Sequence, residues 1–360
     1  MLPLLLACAT PVDDTGAAPT FHPPDAPGPW AAGTFDVVAD TSGGELHLQV
    51  WYPAASGADE DTVRYDDLIQ GDALDEPPAD CAQPRPVMVF SHGNGGMRFQ
   101  SIFWTEFLAT HGWVVVAPDH PENTVYDLDE SILLDVAMRR PLEVAASFDW
   151  LVDTSGDGAL AGCLDASAGY AVSGHSFGGY TTVVVTGTVI DLAASAAWCA
   201  DHPEWLCDDA AEWAAAHPDE PVVDHADPRV TAGVAMTPAG YELLVGGLGA
   251  NDTPLLVWGG GRDYLTPVDS QVRPIWADLA NAGNPLATLT DAGHYTFSDA
   301  CGIAPVFDDC GEPYLSPEAA HPTIRTASLA FLQVQAGWAD AAAWLPPEDP
   351  QLVWELPAGD

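Results

Sequence analysis

Residues 170–181 read YAVSGHSFGGYT: a short apolar run, a serine hemmed by glycines, then the start of a longer apolar segment. The first part suits a buried strand, and GGYTTVVVTGTVIDL suits the opening of a helix. Between them, G-x-S-x-G sets Ser176 on a strand-to-helix turn, a position that exposes its hydroxyl as a candidate nucleophile. Such a match recurs by chance in a chain with 33 glycines. The reading therefore depends on the partners the rest of the chain supplies.

Outward from this stretch, apolar runs alternate with longer helical segments. TFDVVAD (34–40) and LHLQVWYP (46–53) read as an antiparallel hairpin turning at Gly43–Gly44, followed by a polar, acidic loop over 54–84. PVMVFSH (86–92), WVVVAPDH (113–120) and GYAVSGHS are continuous apolar runs, as expected of parallel strands buried on both faces. VTAGVAMTP (230–238), TPLLVWGGG (253–261) and NPLATLTDAGH (284–294) give three more. Helices are expected over 102–112, 131–152, 270–282 and 321–336. The fold class is α/β, with about eight strands in a mostly parallel sheet covered by helices on both faces. Residues 190–228 interrupt this pattern as a helical, acidic insertion. Its Trp198, Trp205 and Trp213 are spaced to line one side. The insertion reads equally as core packing or as a cap over the substrate.

A serine hydroxyl attacks well only when a base takes its proton, and that base is usually a histidine oriented by a carboxylate. In a parallel sheet such groups gather past the C-terminal ends of strands. LLVWGGGRDYLTP places Asp263 just past one strand, and LATLTDAGHYTFSD places His294 just past the next. The order Ser176, Asp263, His294 is that of α/β-hydrolases. The oxyanion needs two N–H donors: Phe177, next to the nucleophile, and Asn94 in the glycine-rich loop FSHGNGGMRF (90–99). Nucleotide binding is excluded, because the chain has no G-K-[ST] and no lysine.

Composition narrows the remaining choices. Hydrophobic residues make up 48% of the 360, enough for a substantial core. The 53 acidic residues face 9 basic ones, a net charge of −44, which repels nucleic acid and anionic membranes. The opening MLPLLLAC reads as a lipoprotein-type signal over 1–8, with Cys8 as the lipidated residue and residues 9–30 as a flexible tether. The catalytic domain then spans 31–345 and a tail 346–360, and the protein is exported, either bound to a bacterial envelope membrane or secreted. The other six cysteines suit three disulfides in an oxidising compartment. Spacing pairs Cys199 with Cys207 and Cys301 with Cys310 and leaves Cys81 and Cys163.

Taken together, VMVFSHGNGG, VVVAPDHPENT, VSGHSFGGYT, GGGRDYLTPVD and DAGHYTFSD resemble the α/β-hydrolase superfamily. Within it they resemble the branch holding platelet-activating-factor acetylhydrolases and predicted dienelactone hydrolases, from about residue 34 to 336. The resemblance implies Ser176 as nucleophile, Asp263 as acid, His294 as base, and Asn94 and Phe177 as oxyanion donors. It also places Cys81 and Cys163 at one sheet edge, which supports their pairing. Dienelactone hydrolases proper use cysteine, so their substrate does not transfer to a serine.

The expected activity is carboxylic-ester hydrolysis on small to medium acyl esters through an acyl-enzyme. A cutinase-like polyester hydrolase and a lipase for short-chain or oxidised phospholipids are the alternatives, and a non-enzymatic binding protein is disfavoured by the complete triad. His92, Phe99, Trp104, Tyr180, Trp198 and Tyr295 are candidates for the pocket, with His92 structuring the oxyanion turn. Asp119 and His120 are read as loop packing near the rim. Asp153, Ser155 and Asp157 match the start of a calcium loop, but Leu164 stands where a glutamate belongs, so an ordinary turn is the reading. His111, His202, His217, His225 and His321 are assigned to the surface or to caps, and no cofactor is expected.

Overall fold

The computed structural model describes residues 21–156 and 158–357. The signal reading, Cys8, residues 9–20 of the tether and Asp157 lie outside the described residues.

The opening hairpin, β1 (Ala32–Thr41) and β2 (Gly44–Pro53), pairs from Ala32–Pro53 to Thr41–Gly44. Two short strands follow where a loop was expected, β3 (Thr62–Tyr65) and β4 (Ile69–Asp75). They form the sheet edge and bury only one face, so few apolar residues are needed and charges sit on the open side. Their anchor is Tyr65, whose hydroxyl accepts from Trp51 Nε1 and donates to the buried Glu106, both at 2.7 Å.

The centre comprises β5 (Val87–Ser91), β6 (Val114–Pro118) and β7 (Tyr170–His175). A short antiparallel ribbon, β8 (Ile190–Asp191) with β9 (Val222–Val223), stands apart from the main sheet. The sheet continues through β10 (Val230–Met236), β11 (Leu255–Gly260) and β12 (Leu286–Leu289). It ends in β13 (Leu352–Glu355), antiparallel to β12, so part of the expected tail completes the sheet. The result is an eleven-stranded mixed sheet in the order β13-β12-β11-β10-β7-β5-β6-β2-β1-β4-β3. From β6 to β12 neighbouring strands are parallel.

Alternation along the strands sends side chains to opposite layers. Met88 and Phe90 join a core with α1 (Ile102–Thr110) and α6 (Pro317–Gln335). Val87 and Val89 join the opposite core with α2 (Leu133–Thr154), extended by α3 (Phe177–Val185). This is an α/β fold with helices on both faces. Residues 21–30 are not a free tether: Thr326 and Gln333 of α6 donate to the carbonyls of Pro24 and His22, and the Arg85 guanidinium lies over the Trp30 ring.

The insertion contains α4 (Leu192–Cys199) and α5 (Cys207–Ala216), linked by Cys199–Cys207. His202–Pro203 and this bridge interrupt the helix, so the three tryptophans do not share one stripe. Trp198 stacks on His202, Trp213 stacks on His217, and Trp205 meets Phe177 edge-on. Bridges Cys81–Cys163 and Cys301–Cys310 are also present.

After β5 the chain crosses to β6 on one side and then returns to β7 on the other. A crevice therefore opens above the C-terminal ends of β5 and β7, where loops diverge and open α/β sheets bind their ligands. Ser176 and the loop after Ser91 both lie there.

Candidate active site

Ser176 leaves β7 in the left-handed region, at φ 58° and ψ −117°. A non-glycine residue there costs about 1–3 kcal/mol and is held by its surroundings. Its N–H donates to Met236 O at 2.9 Å, and glycines allow the chain to close around it. A Cβ on Gly174 would meet Gly178 O at 2.2 Å, and one on Gly178 would meet Ser91 O at 1.9 Å. The turn needs glycine at both places. Ser176 is half-buried while His175 and Phe177 on either side are buried.

Asp263 sits past β11 and is enclosed by donors. Its Oδ1 accepts from the N–H groups of Leu265 and Thr266 at 2.8 Å, and its Oδ2 accepts from the Thr266 hydroxyl at 2.7 Å. His294, past β12, brings Nδ1 to 2.7 Å from Asp263 Oδ2. Burial pushes the Asp263 carboxyl up, but His294 and these donors outweigh it and hold it below the usual range. An ionised Asp263 fixes Nδ1 as the protonated nitrogen, which leaves Nε2 as a proton acceptor.

The glycine-rich loop after β5 starts with His92. Its Nδ1 donates to Gly93 O at 2.7 Å, so Nε2 accepts from His120 N–H at 3.0 Å. Burial, reinforced by Arg140, pushes the His92 imidazole down to about 3 and keeps it neutral. Asn94 Oδ1 accepts from Asn123 Nδ2 at 2.6 Å, and Asn123 in turn accepts from Arg140, which also donates to His92 O. Among the described residues, the N–H groups of Asn94 and Phe177 have no protein acceptor.

Beneath this loop lies a serine–histidine–acid network. Ser91 Oγ is 2.9 Å from His120 Nε2, and His120 Nδ1 is 2.7 Å from Glu143 Oε2. All three residues are buried. Burial and the neighbouring Arg140 hold His120 well below its ordinary value, while burial lifts Glu143 to about 7. The connectivity resembles a serine-hydrolase triad and is consistent with the broad α/β-hydrolase superfamily. It supports a serine-hydrolase mechanism in general and classification of the chain as a serine hydrolase of carboxylic esters. Ser91 Oγ also receives Arg140 Nη2 at 3.1 Å, and the elbow glycine Gly178 covers Ser91 O.

This network was not expected from the sequence, although SH at 91–92 ends one strand and DH at 119–120 follows the next. Asp119 is not paired with His120; its carboxylate takes the Arg98 guanidinium at 3.0 Å. His120 is wholly buried rather than at a rim.

Of the pocket candidates, Phe99 and Trp104 are fully buried in the core with α1, and Tyr180 lies under Phe177. His92 is likewise enclosed. Trp198 and Tyr295 are half-buried, and Tyr295 stacks on Phe307 with centroids 4.1 Å apart. Asp153 belongs to the last turn of α2, and Ser155 Oγ donates back to Val152 O, as in a helix end. Among the described residues, no cluster of three His, Cys, Asp or Glu side chains could hold a metal ion. No helix there is long and apolar enough to cross a membrane. The three disulfides point to an oxidising, extracytoplasmic environment.

No protein-family model matches the chain, and none of the curated proteins compared with it matches its sequence.

Proposed function

We propose that Ser176 is the nucleophile of an α/β-hydrolase that cleaves small to medium, uncharged acyl esters, with His294 as base and Asp263 as its orienting acid. The observation that carries this reading is the strained Ser176 elbow at the switch crevice, with a bonded His294–Asp263 pair past β11 and β12. His294 Nε2 takes the Ser176 proton as Oγ attacks the ester carbonyl. The N–H groups of Asn94 and Phe177, which have no acceptor among the described residues, hold the oxyanion. The alcohol leaves with the proton from His294, and water then releases the acid from Ser176 by the same route. Asp263 stays ionised throughout. The Ser91–His120–Glu143 network supports the loop that carries Asn94.

Substrate bulk is read from the rim. Trp205 beside Phe177, Tyr264 and Leu265 beside Asp263, and Phe307 on Tyr295 are all exposed. Leu128, also exposed, would touch a Cβ on Gly95 at 3.4 Å. An apolar collar on so acidic a protein favours neutral, apolar acyl groups over anionic ones. The same collar favours a second reading, a cutinase-like hydrolase of polyesters, over a phospholipid lipase. In this proposal the insertion is a wall of the site, the nearest family branch is that of platelet-activating-factor acetylhydrolases, and Cys8 carries a lipid anchor.

A panel of p-nitrophenyl esters from C2 to C12, a polyester film and a short-chain phospholipid tests the substrate. A C2–C4 optimum without film release supports the first reading, and soluble product from the film supports the second. Turnover of the phospholipid alone contradicts both.

A further inference from the structure

Gln100 and His175 are both buried, and neither is used in the cycle above. Gln100 Oε1 accepts from Gly93 N–H at 2.9 Å, in the loop that carries Asn94. Its Nε2 lies 2.7 Å from His175 Nδ1, and His175 Nε2 lies 2.9 Å from His294 O. Backbone groups fix the direction of this chain at both ends. Gly93 N–H can only donate, so Gln100 presents its oxygen there and its amide N–H to His175. The His294 carbonyl can only accept, so His175 Nε2 carries the proton and Nδ1 is the acceptor for Gln100. Every donor meets an acceptor only when His175 is neutral. Burial, with His294 close by, pushes its imidazole down to about 3.

The span leaves no slack. A Cβ on Gly96 would meet Gln100 Oε1 at 2.1 Å, and one on Gly93 would meet Ser176 Cβ at 3.3 Å. The His175 and His294 rings are 4.6 Å apart. Gln100 also accepts Asp299 N–H on its own carbonyl at 2.9 Å, which ties it to the segment after His294.

We infer that Gln100 and His175 are positioning residues: a three-bond relay from Gly93 N–H through Gln100 and His175 to His294 O that fixes the oxyanion loop and the base relative to Ser176. The inference rests on Ser176 as nucleophile. The relay sets two distances at once, from Ser176 to the base and from the substrate carbonyl to the Asn94 N–H. Misplacement by about 1 Å costs on the order of a hundredfold in rate. Neither residue touches substrate, so its loss acts on turnover rather than on substrate affinity.

The test measures kcat per active site, titrated with a phosphonate ester, together with KM, Tm and the affinity for an alkyl boronic acid that mimics the tetrahedral adduct. Gln100→Met and His175→Phe are each expected to lower kcat per titrated site by about 10–100-fold. KM stays within about twofold and boronate affinity falls in parallel with kcat. Gln100→Leu removes both the acceptor for Gly93 and the donor to His175; it carries the test if Gln100→Met does not fold, with a loss of about fivefold or more expected. Wild-type kcat per titrated site in the folded variants, with only Tm lowered, overturns the relay. Ser176→Ala is run alongside: activity surviving in it overturns the underlying assignment instead, so the two failures are distinct.

Discussion

Gly178 packs on Ser91 so closely that a Cβ on it would lie 1.9 Å from the Ser91 carbonyl oxygen. The helix after Ser176 therefore rests directly on the end of β5. Ser91 is sealed beneath it, and Ser176 stands above it. Gly178→Ala should cost about 3 kcal/mol or more, because the obstructing atom is backbone. Urea unfolding of the variant checks this. A loss below 1 kcal/mol would show that the contact yields freely.

Asp263→Asn keeps the shape of the acid but loses the charge that holds His294 Nδ1 protonated. Turnover of p-nitrophenyl acetate should fall by about a thousandfold or more with little change in Tm. A variant within tenfold of wild type would remove Asp263 from the mechanism.

The fold was legible because its signals were strong where the core is strong. The runs at 87–91, 114–118 and 170–175 are buried from end to end, and continuous apolar sequence marks such strands. β3, β4 and β13 were read as loop or tail because an edge strand needs one buried face and carries charge on the other. Ser176, Asp263 and His294 could be set past strand ends because each follows a continuous apolar run. The buried network could not, since Ser91, His120, Arg140 and Glu143 meet only when β5, β6 and α2 pack. His321 shows the same limit: read as a surface residue, it is stacked on Phe103 with centroids 3.6 Å apart.

That stacking has a pH consequence. Burial, then Arg325, pushes the His321 imidazole down to about 3, and its Nε2 lies 3.1 Å from Thr296 O. An unfolded histidine titrates near 6.5. Between these values the unfolded chain binds the extra proton, so His321 stabilises the fold above about pH 6.5 and loses this progressively as pH falls toward 3. His321→Gln should flatten unfolding free energy against pH, relative to wild type, by about 1.4 kcal/mol per pH unit between pH 4 and 6. Equal slopes in the two proteins would contradict the assignment.

The disulfides should separate stability from turnover. Cys301–Cys310 closes the loop carrying Asp309, whose Oδ2 accepts Tyr295 N–H at 3.0 Å beside His294. Cys81–Cys163 lies at the opposite ends of the strands, ahead of β5 and β7. The double serine variant at 301 and 310 should lower kcat about fivefold or more. The one at 81 and 163 should cost roughly 2–5 kcal/mol with kcat preserved. Equal kcat in both variants would uncouple the Asp309 loop from catalysis.

The most direct measurement of the central claim is the site of covalent capture. The protein is treated with a phosphonate ester until p-nitrophenyl ester turnover ceases, then digested and mapped by mass spectrometry. One adduct is expected, on the Ser176 hydroxyl, with Ser91 unmodified. An adduct on Ser91, or lost turnover with Ser176 unlabelled, would contradict it.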